Sequence, residues 1–492
     1  MKLLITWNSL RLGLGLVVAI LAVPISARAE LKLPAIFGDN MVLQQQISVP
    51  VWGWAAPGAA VTVKFGGQQK VTCAAADGKW LVKLGNLKAS FVPQTLVIES
   101  GDTKTFTNIL VGEVWLGSGQ SNMEKPIGLQ PGQQPVFNYE QELAAANYPN
   151  LRLFQVEKML SAQPRQDLEK FHGWQECSSN TLNSISFSAA AYFFGREVHT
   201  NLNVPVGLIE SSWGGTRIEP WTPPVGFQSV PALAHLRTPE FGTNRIPNTA
   251  PTVLYNAMIA PIAGFAMRGA LWYQGESNRG DTNYDLKMSA LVAGWRQLWH
   301  EGDFPFYFVQ IAPYKYIKNL ANYSADTDPL PRFWVQQARA ARQIKHAGMI
   351  VTTDLVDDLN DIHPRDKASV GHRLALLALD ETYEQEVPSA GPAFEKMRLI
   401  GHQAVLKFAH AHGGLLSKDG QPLTWFTIAG SDGKFMPAEA RIVSKNKVAV
   451  SAAGLDQPVA VRFAWDQSAQ PNLFNGAGLP AQPFSTEYPI KQ

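Results

Sequence analysis

The pattern of apolar and polar residues divides the chain from residue 30 onward into three regions. The first region carries short strand-like runs separated by Pro-Gly, Gly-Gly and Asp-Gly turns. Short runs punctuated in this way are typical of a small β-sandwich. We therefore predict an N-terminal β-sandwich-like domain over residues 30–107. Its predicted strands cover residues 47–54, 60–65, 80–84 and 95–100.

From residue 112 the pattern changes, and apolar runs rich in β-branched and aromatic residues alternate with helical stretches. The predicted strands cover residues 111–117, 204–211, 268–274, 305–311 and 348–353. The predicted helices cover residues 188–201, 284–299, 334–345 and 366–379. Strands separated by helices imply a parallel sheet with right-handed crossovers. This pattern predicts an α/β domain over residues 108–388, in which ligands bind beyond the carboxyl ends of the strands.

The last region, residues 389–492, loses the helical periodicity. Its strand-like runs cover residues 404–408, 424–428, 447–451 and 459–463. The pattern therefore predicts a C-terminal β region.

The first 29 residues have the pattern of an export signal. Lys2 and Arg11 give a basic start, residues 12–23 are apolar, and Ala27-Arg28-Ala29 is a small-x-small cleavage site. The apolar run is shorter than the roughly 20 residues that a membrane-spanning helix needs. We predict a signal peptide over residues 1–29 and an exported protein, periplasmic or extracellular, that has no membrane anchor once the signal is removed.

Charge and cysteine content narrow the class of partner. The formal net charge is +2, and 39 basic and 40 acidic residues remain without residues 1–29. This balance disfavours nucleic acid and anionic lipid as partners and fits a weakly charged substrate. There is no CxxC, HExxH or clustered His/Cys set, so we expect no metal and no cofactor. Cys73 and Cys177 are interpreted as two buried free thiols, although an exported protein could pair them.

Two polar motifs follow predicted strands early in the α/β region. Gly117-Ser118-Gly119-Gln120-Ser121-Asn122-Met123 follows the first strand, where glycines allow a sharp turn that presents the hydroxyl of Ser121. An ordinary helix-capping turn is the alternative interpretation. The segment SSWGGTRIEPW at residues 211–221 follows the second strand. Its paired glycines could expose a backbone N–H to an oxyanion, and Trp213 and Trp221 could line a sugar pocket, although core packing is the commoner role of tryptophan.

Two further motifs follow later strands. Trp272-Tyr273-Gln274-Gly275-Glu276-Ser277-Asn278 follows the third strand, and a carboxamide such as that of Gln274 can donate to an oxyanion. Glu276 is either a catalytic acid or, more often, a structural acceptor. The fifth strand leads to Asp361-Ile362-His363-Pro364, where His363 can serve as the base that a serine nucleophile needs.

The segments GQSNM, SSWGGTRIEPW, LWYQGESN and DIHPRDK occur in this order along the chain. Together they resemble the bacterial sialate O-acetylesterase family, which belongs to the SGNH-type serine hydrolases. The segments MVLQ at residues 41–44 and VWGW at residues 51–54 resemble the N-terminal β domain of that family. The resemblance covers nearly the whole chain after residue 29. It implies a flavodoxin-like SGNH-hydrolase domain with a parallel sheet and an acyl-serine mechanism.

The resemblance also implies roles for individual residues. Ser121 matches the nucleophile and His363 the base, while Gly215 and Gln274 match oxyanion donors, with the Ser121 N–H as a third.

More than one side chain could orient the imidazole of His363. The usual SGNH block places an aspartate three residues before the histidine, where this chain has Asn360. Asp361, Asp358 or a glutamine could serve instead, and Asp361 is the first choice because it is nearest to His363 in sequence.

The predicted function is that of an exported serine carbohydrate O-acetylesterase of the sialate 9-O-acetyl type. An acetyl xylan or other plant-glycan acetylesterase is the alternative, because members of the family also act on such glycans. Less favoured are a glycoside hydrolase that uses Glu276 with Glu210 or Asp354, and a non-catalytic sugar-binding protein. The predicted substrate contacts are Trp213, Trp221, Tyr273, Glu276 and Asn278.

Overall fold

The computed structural model describes Met1 and residues 30–237, 246–319 and 323–488. The predicted signal peptide, apart from Met1, lies outside the described residues. Among the described residues, none of the helices is both long enough and apolar enough to cross a membrane.

The N-terminal region is built from strands, as the sequence predicts. The strands are β1 (Val42–Gln44), β2 (Val49–Trp54), β3 (Ala60–Phe65), β4 (Gln68–Cys73), β5 (Lys79–Leu84), β6 (Ser90–Glu99) and β7 (Thr103–Gly119). β2 pairs with β5, while β3 pairs with β4 and β6, all antiparallel. In β5 the residues alternate between exposed and buried, because successive side chains of a strand point to opposite faces.

The 17-residue strand β7 belongs to two parts of the fold. Residues 103–111 pair with β6 in the N-terminal region, and residues 113–119 form the central strand of the α/β sheet. The predicted boundary between residues 107 and 108 therefore falls inside one continuous strand. Buried residues of both regions also join in a single hydrophobic core. Movement of one region against the other would have to break this shared strand and core.

Among its described residues, the α/β region contains six more strands and eight α-helices. The strands are β8 (Asn147–Val156), β9 (Phe171–Ser178), β10 (Val206–Ser212), β11 (Gly269–Tyr273), β12 (Phe306–Val309) and β13 (Ala347–Ile350). The helices are α1 (Ser121–Glu124), α2 (Tyr139–Ala145), α3 (Ser179–Ser184), α4 (Ala189–Leu202), α5 (Pro224–Ser229), α6 (Tyr284–Trp299), α7 (Pro329–Gln343) and α8 (Lys367–Leu377).

The sheet order is β13-β12-β11-β7-β10-β8-β9, parallel throughout except for the antiparallel pair of β8 and β9. The five predicted strands, numbered along the chain, stand in the order 2-1-3-4-5. This is the flavodoxin-like order, so the predicted α/β class and its parallel sheet are confirmed. β10 and β11 are buried along their whole length, as expected for strands covered by helices on both faces.

Several element boundaries differ from the sequence pattern. Helix α7 begins at Pro329 rather than at residue 334, because Asp328 caps it by accepting the N–H of Leu330 and proline is tolerated in a first turn. Helix α8 ends at Leu377 and passes into a π-helical turn at Ala378–Thr382. β8 and β9 were not predicted, since their pairing is irregular and β8 contains Pro149.

The C-terminal region is also all-β, as predicted. Its strands are β14 (Ala393–Ile400), β15 (Gln403–Ala409), β16 (Leu415–Ser417), β17 (Phe426–Ala429), β18 (Phe435–Pro437), β19 (Glu439–Ser444), β20 (Lys447–Ser451), β21 (Ala460–Phe463), β22 (Leu473–Asn475) and β23 (Phe484–Ser485). They enclose a core of their own. Gln467 bonds to the loop after β12, and Gln470 donates to Val356 O after β13. The C-terminal region thus supports loops at the carboxyl edge of the sheet.

Both cysteines are free thiols. Cys177 is buried as expected, but the prediction was wrong for Cys73, which is exposed at the end of β4.

Candidate active site

Three neighbouring strands end at the same level of the sheet. Gly119, the last residue of β7, pairs with Ser212 of β10 on one side and Tyr273 of β11 on the other. Gly119 has φ +143°, and a Cβ at this position would lie 2.2 Å from the carbonyl oxygen of Tyr273. Glycine is therefore required for the chain to leave β7 so close to β11. The motifs that follow these three strands therefore begin side by side at the same edge of the sheet.

Ser121 and His363 meet at this edge. Ser121 is the first residue of α1, and His363 lies in the loop between β13 and α8. The distance between His363 Nε2 and Ser121 Oγ is 3.0 Å, although the residues are 242 positions apart in the chain. Both side chains are only partly buried, so the pair is open to a ligand. A hydroxyl at this distance from an imidazole nitrogen can pass its proton to that nitrogen.

Asp361 is the acid in contact with the imidazole. Its Oδ1 lies 3.5 Å from His363 Nδ1 and accepts the backbone N–H of His363 at 2.9 Å. The longer contact is beyond the range of a good hydrogen bond, so the carboxylate acts on the ring mainly through its charge. Asp358 instead accepts the backbone and side-chain N–H groups of Asn360.

The environment of His363 favours the neutral imidazole. Burial is the largest cause and lowers the pKa of His363, the charges of Lys367 and Lys125 lower it further, and Asp361 opposes them. Because the pKa lies below 6.5, the ring is neutral at pH 7 and its free nitrogen can accept a proton.

A glycine turn lies beside the hydroxyl. A Cβ on Gly214 would come within 3.2 Å of Ser121 Cβ, and the N–H of Gly214 donates to Glu124 Oε2 at 2.6 Å. The next residue, Gly215, is exposed and has φ +73°. Within the described part of the chain, no acceptor is bonded to the backbone N–H of Ser121 or of Gly215. Gly215 directly follows Gly214, the residue that packs against Ser121, so both free donors belong to the segments that meet at the hydroxyl.

Gln274 does not take the predicted position of an oxyanion donor. It is fully buried, and its Nε2 already lies within hydrogen-bond distance of Gln120 Oε1, Thr216 O and Asn278 Oδ1. Its Oε1 accepts the hydroxyl hydrogen of Tyr284. The two amide hydrogens are thus committed inward, and Gln274 holds the loops after β7, β10 and β11 together.

Four of the five predicted substrate contacts are buried. Trp221 and Tyr273 are 0% exposed, so the prediction that they face a sugar was wrong: neither ring has a free face. Asn278 is also 0% exposed and Glu276 6%, and both bond to protein groups. Only Trp213 is partly exposed, and it lies directly before the Gly214–Gly215 turn.

A buried ionic cluster that the sequence analysis missed supports this turn. Lys287 Nζ donates to Glu219 and Asp281, and Arg217 also bonds to both carboxylates. Asn278 donates to both carboxylates and accepts the N–H of Ile218. The cluster fastens the loop after β10 to the loop after β11. The cluster joins two short segments, and Arg217 lies 64 positions before Asp281. Of its members, the sequence motifs singled out only Asn278.

The carboxylates required by a glycoside hydrolase are all engaged elsewhere. Glu276 Oε1 accepts from Asn122 Nδ2 at 2.5 Å. Glu210 is buried in β10 against Ser212, and burial raises its pKa to about 8. Asp354 is paired with Arg373 at 2.7 Å. All three acids have buried side chains, and among the described residues Oε2 of Glu276 has no hydrogen-bond partner. They do not form the open carboxylate pair that glycoside hydrolysis needs.

A large cavity lies at the opposite edge of the sheet. It has a volume of about 1210 Å³ and is lined by residues that directly precede strands, among them Arg268, Pro305 and His346. It shares no residue with the Ser121 site. Within the described ranges, no group of three or more His, Cys, Asp or Glu side chains is placed to hold a metal ion.

Comparison with known proteins identifies the class. A solved carbohydrate acetylesterase from Xanthomonas citri superposes with a TM-score of 0.83, at 33% sequence identity, over 93% of this chain and 99% of its own. The human sialate O-acetylesterase is 32% identical over 521 residues, which cover 96% of both chains. The mouse sialate O-acetylesterase is 31% identical over 537 residues, covering 96% of this chain and 97% of its own. The fold and these likenesses define the protein as an esterase.

The family model described as "Carbohydrate esterase, sialic acid-specific acetylesterase" matches residues 111–380, more than half of the chain. The chain therefore belongs to this carbohydrate esterase family, and the predicted family is confirmed.

We expect the substitution Asp361→Asn to lower the pKa of His363 further, because the negative charge of Asp361 stabilises the imidazolium. The measurement is an NMR titration of the His363 ring. Asp358→Asn is the matched control and should leave that pKa where it is, since Asp358 bonds to Asn360. An unchanged His363 pKa in Asp361→Asn would show that Asp361 is not its electrostatic partner.

Proposed function

We propose that this protein is a carbohydrate O-acetylesterase that works through an acetyl-serine intermediate. The observation that carries the proposal is the 3.0 Å contact between His363 Nε2 and Ser121 Oγ at the carboxyl edge of the sheet. Membership of the carbohydrate esterase family supports an acetyl ester on a sugar as the substrate.

The first half of the mechanism forms the acetyl-enzyme. Ser121 Oγ attacks the acetyl carbonyl carbon while His363 Nε2 takes the hydroxyl proton. The carbonyl oxygen becomes an oxyanion that accepts hydrogen bonds from the N–H groups of Ser121 and Gly215. The bond between the carbonyl carbon and the sugar oxygen then breaks, and the sugar oxygen takes the proton from Nε2. The sugar leaves with a free hydroxyl.

The second half returns the enzyme to its starting state. Water attacks the acetyl-serine carbonyl while His363 Nε2 takes one of its protons. The tetrahedral intermediate collapses, Ser121 Oγ is reprotonated by Nε2, and acetate leaves. Asp361 supports the imidazolium in both halves through its negative charge, which lies 3.5 Å from Nδ1.

Within the family, we propose sialic acids acetylated at the 9-position as the substrate. The human and mouse relatives carry the name sialate O-acetylesterase and match nearly the whole chain. A plant-glycan acetylesterase, such as an acetyl xylan esterase, is the second candidate. The Xanthomonas citri relative, a carbohydrate acetylesterase whose name states no particular sugar, is compatible with this candidate.

We expect Ser121→Ala to lower the rate of acetate release by about 10³-fold or more, because the nucleophile is removed while the oxyanion donors stay. The measurement is acetate release from an acetylated sugar together with labelling by a fluorophosphonate probe. Ser118→Ala is the matched control: Ser118 is a fully buried serine three positions earlier. Wild-type turnover by Ser121→Ala would refute the acyl-serine mechanism.

The substrate proposal is tested on a panel of acetylated sialic acids, acetylated xylo-oligosaccharides and acetylated pectin fragments. We expect the highest kcat/KM on sialic acid acetylated at the 9-position. A higher value on the xylo-oligosaccharides would assign the protein to the second candidate. Release of reducing sugar from a deacetylated glycan would point instead to glycoside hydrolysis.

We further propose that residues 1–29 direct export. The protein purified from the producing cell should then begin at Glu30, which N-terminal sequencing measures. Retention of residues 2–29 on the mature protein would contradict this.

A further inference from the structure

A buried lysine lies behind the Ser121–His363 pair. Lys367, the first residue of α8, is 0% exposed. Its Nζ donates to Asn122 Oδ1 at 2.7 Å and to Pro364 O at 2.9 Å, and it lies 5.1 Å from the ring centre of Tyr273. An ammonium group is costly to bury, so these contacts must compensate for the lost water.

Asn122 extends this contact to the other side of His363. Its Nδ2 donates to Ile362 O at 3.0 Å and to Glu276 Oε1 at 2.5 Å. The carbonyl groups directly before and after His363 are therefore both tied to the residue that follows Ser121, one directly and one through Lys367. The relative position of the imidazole and the hydroxyl is set by these buried hydrogen bonds.

The lysine also acts on the imidazole through its charge. Burial and the charge of Lys125 lower the pKa of Lys367 to about 7, against the opposing effects of Glu276, Asp361 and Asp366. Lys367 therefore carries a positive charge in an increasing fraction of molecules as the pH falls below about 7. That charge, after burial, is the next largest cause that lowers the pKa of His363.

We propose that Lys367 is a positioning residue: its ammonium group ties the His363 segment to the Ser121 helix and disfavours a second positive charge on the imidazole. The proposal rests on the esterase mechanism proposed above. Its consequence is that the imidazole stays unprotonated, and able to act as a base, at a lower pH than it would without the lysine.

The test compares Lys367→Met with Lys367→Gln. Methionine has a similar length but neither charge nor donor, whereas glutamine keeps hydrogen-bond donors without the charge. We expect kcat to fall by about 10²-fold in Lys367→Met, the scale of a displacement of about 1 Å at the reacting atoms. In Lys367→Gln we expect kcat to fall by less than in Lys367→Met, because glutamine keeps hydrogen-bond donors. In both variants the acid limb of kcat/KM should move to higher pH, because removal of a nearby cation raises the pKa of His363.

Lys125→Met is the matched control. Lys125 is also buried and also lowers the pKa of His363, but its Nζ bonds to Gln133 and Gln134 rather than to the His363 segment. We expect a smaller shift of the acid limb and an almost unchanged kcat. An equal fall of kcat in this variant would contradict the specific role of the Lys367 contacts.

The outcomes separate this inference from the proposed function. If the Lys367 variants melt at a lower temperature but keep the wild-type acid limb and kcat, the lysine is only structural and the inference is overturned. If wild type and Ser121→Ala release acetate equally, the esterase mechanism fails instead. An NMR titration of His363 in wild type and Lys367→Gln tests the charge effect without turnover, and an unchanged pKa overturns it. Should Lys367→Met not fold, Lys367→Gln decides.

Discussion

The shared register of β7, β10 and β11 is the constraint on which the site depends. Because these parallel strands end level with one another at Gly119, Ser212 and Tyr273, the loops that follow them start within a few ångströms of each other. The missing Cβ of Gly119 allows the tightest of these approaches. A shift of one strand by one residue would move its loop away and exchange the faces of its side chains. The hydroxyl and the glycine turn beside it would then separate.

Buried polar groups hold in place the loops that this register brings together. Gln274 and Asn278 bond across the loops after β7, β10 and β11, while Asn122 and Lys367 bond to the segment around His363. Unsatisfied groups at such depth would cost on the order of 1–3 kcal/mol each, so these networks favour one arrangement of the loops over others. Ser121 and His363, which could react, are partly exposed, and the residues that place them are buried. This division explains why motifs of mostly polar residues follow strand ends that are buried.

The sequence was sufficient to predict the class of fold and the contact between Ser121 and His363. Periodicity located the five strands of the flavodoxin-like order, and the family motifs singled out Ser121 and His363. It did not predict that β7 is continuous across the expected boundary at residues 107 and 108, because a strand that changes partners halfway has no local signal. It assigned Trp221 and Tyr273 to a sugar pocket, since an aromatic residue next to a polar motif has the same pattern whether its ring faces inward or outward.

Local patterning along the chain therefore determined which elements form and which residues have the right chemistry. Only the tertiary structure decided which of these residues face solvent and which hold others in place. Gln274 shows the difference: its amide could serve an oxyanion, but packing between three loops satisfies its hydrogens inside the protein. Lys367 is the opposite case, because its proposed role arises only in the folded protein. That role depends on burial next to Asn122, which lies 245 positions earlier in the chain. Burial and long-range hydrogen bonds depend on how distant segments meet, which no short stretch of sequence contains.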